Sequence, residues 1–264
     1  MKGVIFYYSA TGNTELACHS IAKHISSVSF DLVNIAGNKK IDISAYEIAG
    51  FAASTDFMGP PMLVKTFIEK LPRQHNKPAF VFNTYGMFSG KTLPLLRDWA
   101  AAKGFKIIAG YSLQMPENYP PLITKGITSK HAPKQKDLDR FSAFIKELDD
   151  LLNSLPGKEI KPTVIKVGLI NSLLPTSPRT KAKEDMWWKF VDGSLCTKCG
   201  ICKEKCPYQA ITLDPGPVFD MNRCCGCWSC FHHCPGKAIY TNKIRGKGYY
   251  PGPSETLKKK LIHD

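Results

Sequence analysis

Nine of the ten cysteines in this 264-residue chain fall between Cys196 and Cys234, and the residues before them hold only Cys18. A stretch so crowded with sulfur is organised by what thiolates bind more than by an apolar core. Its spacing is regular. The first set reads Cys196-x-x-Cys199-x-x-Cys202-x-x-x-Cys206-Pro207, and the second reads Cys224-x-x-Cys227-x-x-Cys230-x-x-x-Cys234-Pro235. The sets lie about 28 residues apart, an internal repeat that predicts two pseudo-symmetric halves. A disulfide framework would require an oxidising compartment. The segment Met1–Ala10 has one lysine and a short apolar run that enters a glycine turn, unlike an export leader, so an intracellular, cytoplasmic chain with reduced cysteines is expected.

Three cysteines at two-residue gaps can wrap three irons of a cuboidal 4Fe-4S cluster, and the fourth iron then takes a distant cysteine, so the last cysteine of each run crosses over. The expected ligand sets are Cys196, Cys199, Cys202 with Cys234, and Cys224, Cys227, Cys230 with Cys206. Cys225 is left over, and a register that uses it in place of Cys224 stays open. Paired zinc knuckles would also use Cys-x-x-Cys, but they need only two such pairs per site and leave the third cysteine, the fourth and both Cys-Pro steps unexplained.

The length allows one domain of roughly 150 residues plus a smaller module. Apolar runs at Val4–Tyr8, Phe30–Ile35, Ile48–Ala53, Ala79–Phe82 and Lys106–Ser112 alternate with helix-like stretches at Glu15–Ser27, Pro61–Leu71 and Thr92–Lys103. Near-continuous apolar strands separated by helices predict an α/β fold, a doubly wound five-stranded parallel sheet covered on both faces. In 135–155, Leu138, Phe141, Ile145, Leu148 and Leu152 recur at three- and four-residue steps, which marks one helical face, and Pro156-Gly157 ends it. The expected divisions are a first domain over 1–155, a structured connector over 156–192 and a small α+β cysteine module over 193–243. A basic tail over 244–264 follows. The connector is marked by Pro162, Pro175, Pro178, the stretch Val164–Leu174 and the aromatics Trp187, Trp188 and Phe190. No run of 18 apolar residues suggests a membrane span.

Directly after the first strand comes Ser9-Ala10-Thr11-Gly12-Asn13-Thr14, then a helix. Short hydroxyl side chains and successive N–H groups aimed from a helix N-terminus suit a phosphate dianion without help from lysine or arginine. The plain alternative is a well-capped turn, since these are also ordinary turn formers. There is no Gly-x-Gly-x-x-Gly. Gly246-Lys247-Gly248 opens no helix after a strand, so a nicotinamide site is unsupported.

The cysteine runs, from Asp192 to Lys243, resemble the dicluster ferredoxins. The turn at Ser9–Thr14 resembles the flavodoxin phosphate loop, and the element order through residue 155 resembles a short-chain flavodoxin. Together they resemble the ferrodoxin family, flavodoxin–ferredoxin fusions of anaerobic bacteria and archaea. That resemblance implies FMN, two 4Fe-4S clusters and electron transfer with redox partner proteins, converting between one-electron and two-electron carriers. It also implies that loops past the carboxyl ends of the third and fourth strands hold the flavin ring. These are Ser54, Thr55, Asp56, Phe57, Met58, Gly59 and Pro60, and Asn83, Thr84, Tyr85, Gly86, Met87, Phe88, Ser89 and Gly90, with Gln114–Tyr119 as a third wall. The tryptophan often found in the first of these loops is absent, leaving Phe57, Tyr85 and Tyr119 as stacking candidates. An alternative is an FMN-dependent oxidoreductase that acts on a small organic substrate with the clusters as wiring, and a further one is a pure carrier that docks to a larger complex. Open space above the flavin would favour the enzyme, and a flavin edge blocked by the cysteine module would favour a carrier.

The formal charge is +14. Two clusters, each about −2 with its thiolates, and an FMN phosphate of about −2 reduce it to about +8, so part of the excess compensates cofactors. The basic tail, with Arg245, Lys247 and Lys258-Lys259-Lys260, reads as solvated surface or as a dock for an acidic redox partner. A nucleic-acid reading lacks a recognition fold. Cys18 reads as a core residue, and His232-His233 as groups that tune solvent and hydrogen bonding around the second cluster.

Overall fold

The computed structural model describes residues 1–36, 41–155, 163, 165, 171, 173, 175–176 and 188–262. Pro156-Gly157, Pro162, Pro178, Trp187 and most of Val164–Leu174 lie outside the described residues. Five strands form one parallel sheet: β1 (Lys2–Tyr8), β2 (Ser29–Asn34), β3 (Ile48–Ser54), β4 (Lys77–Tyr85) and β5 (Phe105–Gln114). Their order is β2-β1-β3-β4-β5, the flavodoxin-like order, which reverses direction between β1 and β3 and opens a crevice at the strands' carboxyl ends.

Alternation along the strands builds two cores. On one face Ile5, Tyr7, Phe80 and Phe82 pack under α1 (Asn13–His24) and α5 (Gln135–Asn153). On the other, Val4, Phe6 and Phe51 pack under α2 (Met62–Lys70) and α3 (Thr92–Ala102). The expected α5 stripe of Leu138, Phe141, Ile145, Leu148 and Leu152 is buried, each side chain contributing about 1.5–3 kcal/mol of burial. A four-residue turn of helix, α4 (Pro120–Ile123), follows β5.

Several sequence boundaries move, two of them at the site. The first helix starts at Asn13 instead of Glu15, so Asn13 and Thr14 of the expected phosphate turn belong to its first turn. Strand β4 runs on to Tyr85, because Asn83 and Thr84 pair in register with Ala53 and Ser54. Ser54, Asn83, Thr84 and Tyr85, all expected in loops, are therefore strand residues.

The cysteine module begins earlier than expected. Strand β6 (Lys189–Val191), inside the predicted connector, pairs antiparallel with β9 (Ile239–Thr241), and β7 (Ile211–Leu213) pairs with β8 (Pro217–Phe219). Two single helical turns, α6 (Ile201–Glu204) and α7 (Ser229–His232), complete it. Its core of Ile211, Trp228, Phe231, Ile239 and Ile244 also receives Phe57 and Tyr119 from the first domain.

The predicted basic tail is a strap, which corrects its reading as solvated surface. Tyr249 stacks on Phe231 at 4.3 Å between centroids, and Pro253 packs against Gly12. The last helix, α8 (Glu255–Ile262), then buries Leu257 and Leu261 in the core shared with α1 and α5. Its lysines face solvent while its leucines, one turn apart, face the core. Among the described residues no helix is long and apolar enough to cross a membrane.

Candidate functional site

At the carboxyl ends of β1, β3 and β4 lies a cavity of about 340 Å³. Of the predicted residues, Ser9, Ala10, Thr11, Asn13, Thr14, Ser54, Thr55, Asp56, Phe57, Met58, Thr84, Tyr85, Gly86 and Tyr119 line it. Gly12, Gly59, Asn83, Ser89 and Gly90 do not. Gly12 takes φ 95°, a left-handed turn that favours glycine, and donates its N–H to Ser9 Oγ at 3.0 Å. Gly59 closes a tight turn by accepting from the Asp56 N–H at 2.7 Å, which aims Asp56, Phe57 and Met58 inward. Asn83 is fully buried, donating to Thr55 Oγ1 at 3.0 Å and accepting from Ser112 Oγ at 2.5 Å, so it braces the sheet. Ser89 and Gly90 line a separate polar cavity with Asp137, Arg140 and Asn171.

The turn after β1 is held in shape from several sides. Asn118 Nδ2 donates to Thr11 Oγ1 at 2.7 Å, Asn13 Nδ2 donates to the Pro116 carbonyl at 3.0 Å, and the Thr14 and Thr84 hydroxyls share a hydrogen bond of 2.7 Å. The strap adds Tyr250 Oη, which donates to Asn13 Oδ1 at 2.6 Å, and burial pushes this phenol's pKa well up. The first backbone N–H groups of α1 have no intrahelical partner and meet this end of the cavity, which suits a phosphate.

A residue the sequence did not single out joins the other two loops. Glu117 is buried in the cavity wall; Oε1 accepts from the Asn118 and Tyr119 N–H groups, each at 2.9 Å, and Oε2 accepts from the Met87 N–H at 3.2 Å. Gly86 leaves the room for this, since a Cβ there would fall on the Glu117 carboxylate. Its signal lay only in the third-wall stretch Gln114–Tyr119; nothing local marked the carboxylate. Phe57 and Tyr119 meet edge to face, centroids 5.7 Å apart at 76°. They form one wall of the cavity, because rings stacked on opposite faces of a flat group need about 7 Å between them, twice a van der Waals contact.

The far wall belongs to the cysteine module: Gly226, Cys227 and Trp228 line the same cavity. Hydrogen bonds fix this junction. Ser229 Oγ donates to the Ala10 carbonyl at 3.3 Å, and His232 bridges all three parts, its Nε2–H donating to the Asn118 carbonyl at 2.8 Å while Nδ1 accepts from the Tyr250 N–H at 3.1 Å. Burial lowers the His232 pKa to about 4, consistent with a neutral ring doing both jobs.

Inside the module the cysteines gather in two groups. Cys196, Cys199, Cys202 and Cys234 surround one small cavity, and Cys206, Cys224, Cys227 and Cys230 surround a second, which Cys225 also reaches. The last cysteine of each run therefore sits with the other run. The two are equivalent in detail, for Cys206 Sγ accepts from the Ala210 N–H and Cys234 Sγ from the Ala238 N–H, each at 3.3 Å. Burial raises the Cys206 and Cys230 thiols, and both feel the charges of Cys224 and Cys227. Cys225 acts on Cys227 and Tyr8 instead. Cys199 is exposed at the module surface, and a hydrogen bond from the Ile201 backbone lowers its pKa.

Orphaned polar atoms test what these cavities suit. Among the described residues Lys189 Nζ and Trp228 Nε1 are buried without a hydrogen-bond partner, and both line the second cysteine group, where the Tyr8 hydroxyl donates to the Cys227 sulfur. Donors without acceptors fit a group that brings its own sulfur acceptors and negative charge, as an iron–sulfur cluster does.

Residues 189–212 match the family model of the 4Fe-4S binding domain. The chain is 39% identical over 51 residues to a ferredoxin of Pyrobaculum islandicum, covering 19% of this chain and 48% of that one. It is 29% identical over 111 residues to an uncharacterized protein of Methanocaldococcus jannaschii, covering 39% of this chain and 50% of the other. The chain thus spans about half the length of these relatives. Among solved structures, a flavodoxin from the domain Archaea aligns with 58% of this chain and 99% of its own, at TM-score 0.43 and 18% identity. The rubredoxin oxygen:oxidoreductase of Desulfovibrio gigas aligns with 60% of this chain and 37% of its own, at TM-score 0.44 and 18% identity.

Proposed function

Since the chain joins a flavodoxin-like domain to a ferredoxin-type iron–sulfur module, we propose that it is an intracellular electron-transfer protein that binds FMN in the cavity of the first domain and two 4Fe-4S clusters in the second. The observation that carries this reading is the shared wall. Cys227 and Trp228 border both the 340 Å³ cavity and the second cysteine group, so a flavin and a cluster would lie on either side of one loop. When bound, FMN supplies one- or two-electron chemistry and each cluster one-electron chemistry, which lets the chain convert between the two kinds of carrier.

In this reading the turn Ser9–Thr14 and the first N–H groups of α1 hold the phosphate, and Glu117 keeps the loops after β4 and β5 at a fixed spacing around the ring. Cys196, Cys199, Cys202 and Cys234 hold one cluster, and Cys206, Cys224, Cys227 and Cys230 the other, with Cys225 a neighbour and not a ligand. Exposed Cys199, with the exposed lysines Lys198, Lys203 and Lys205 nearby in sequence, marks the first group as the side that meets an acidic redox partner. The carrier is favoured over an enzyme acting on a small organic substrate, because the module occupies the wall where such a substrate would approach.

The test replaces Thr11 and Thr14 by valine. Each lost hydroxyl removes a charge-assisted hydrogen bond of roughly 1.5–3 kcal/mol to a buried dianion, so FMN affinity falls by one to several orders of magnitude while the iron content stays. Such a protein still takes electrons from a low-potential reductant into its iron–sulfur module but no longer passes them to a flavin-dependent acceptor. Undiminished transfer to every acceptor would make the first domain a docking module.

A further inference from the structure

Lys189 stands where a lysine is hardest to keep. It opens β6, and the pleat turns it inward, leaving it 6% exposed while its neighbour Phe190 faces out. Its Nζ lies 4.9 Å from the centroid of the Trp228 ring and has no hydrogen-bond partner among the described residues. A ring face does not satisfy three N–H donors, and a buried ammonium without a counter-charge is among the costliest arrangements in a protein interior. The charge it can find is that of the cavity it lines with Cys206, Cys224, Cys227 and Cys230.

Among the described residues the first cysteine group has no such partner. The lysine that lines its cavity, Lys198, is exposed, where water and salt screen its charge. The internal repeat that makes the two groups alike in sulfur therefore leaves them unlike in charge.

We infer that the Lys189 ammonium is the fixed counter-charge of the metal group held by Cys206, Cys224, Cys227 and Cys230, and that it makes that group accept an electron more readily, on the side facing the flavin cavity. The inference rests on the two-cluster reading proposed above. A four-thiolate cluster is already negative and gains one further negative charge on reduction, so a desolvated cation beside it favours the reduced form. The loop from Cys224 to Cys230 reaches the flavin cavity through Gly226, Cys227 and Trp228. Lys189 thus biases electrons toward the group nearest the flavin.

The test is a redox titration of the anaerobically purified chain, followed by electron paramagnetic resonance, on the wild type, Lys189→Met and Lys189→Arg. The expected result is that one of two iron–sulfur waves moves to lower potential in Lys189→Met by at least tenfold in the reduction equilibrium, about 59 mV for one electron. The other wave stays, FMN affinity stays, and Lys189→Arg titrates like the wild type. Loss of half the iron in Lys189→Met, with Lys189→Arg retaining it at the wild-type potential, equally supports a required charge. Full iron content with both waves unmoved in Lys189→Met overturns the inference, as does the same loss of iron in both variants, which would make Lys189 a packing residue. About four irons per chain in the wild type, half of the eight expected, would overturn the two-cluster reading as well, and that control separates the two failures.

Discussion

Glu117→Gln isolates the contact that spaces the loops of the cavity. The carboxylate makes three hydrogen bonds to backbone N–H groups, two through Oε1 to Asn118 and Tyr119 and one through Oε2 to Met87. Glutamine keeps one carbonyl oxygen for Asn118 and Tyr119 but turns an NH₂ group toward the Met87 N–H, where two donors cannot bond. One charge-assisted bond of about 1.5–3 kcal/mol is lost, and the loop after β4 loses its tie to the loop after β5. If the full cost falls on the flavin-bound form, FMN affinity drops by about one to two orders of magnitude at about 1.4 kcal/mol per decade. Gly86→Ala should do more, because its new Cβ would displace the carboxylate from all three donors. The assay is a titration of flavin-free protein with FMN, followed by quenching of flavin fluorescence, with iron measured in parallel. Wild-type FMN affinity in both variants, with the fold intact, would refute the role of Glu117 as a spacer of the cavity.

Cys234→Ser should cost the chain the iron held by Cys196, Cys199 and Cys202, about half the total, because Cys234 sits in their cavity; selective loss of the cluster nearer the flavin, resolved by redox titration, would refute the crossed arrangement. Cys225→Ser should leave the iron content unchanged, since Cys224 keeps the two-residue gap to Cys227 and Cys230; loss of one cluster would shift the register by one residue. Leu261→Ala, in the strap helix, should lower stability by about 2–5 kcal/mol, since the side chain is 3% exposed in the core shared with α1 and α5. A denaturant midpoint at the wild-type value would return α8 to the status of a surface tail.

Much of this architecture is legible in the sequence because it is written in local spacing. The α5 stripe from Leu138 to Leu152 and the five apolar strands are periodic patterns, and the cysteine runs put three sulfurs within reach of one another on a single loop. What was not legible depends on partners distant in the chain. Asn83 looks like a loop residue until the register of β3 and β4 shows it bracing Thr55 and Ser112. Glu117 is one more acid until Gly86, about thirty residues earlier, makes room for it. The strap was hidden by its own lysines. Leu257 and Leu261 are spaced one helical turn apart, but a short amphipathic helix in a basic stretch reads as solvated until there is a core for it to meet. Lys189 did leave a trace, a single charge beside Trp187, Trp188 and Phe190, and an inward lysine in an apolar run is a sign worth seeking near cysteine motifs.

The proposal is that one chain holds a flavin and two clusters, with the flavin and the second cluster on either side of a shared loop. Its most direct test is the iron, acid-labile sulfide and flavin content of the chain purified without air. The account predicts about eight irons, about eight sulfides and one FMN per chain. Two zinc ions with no flavin would contradict it.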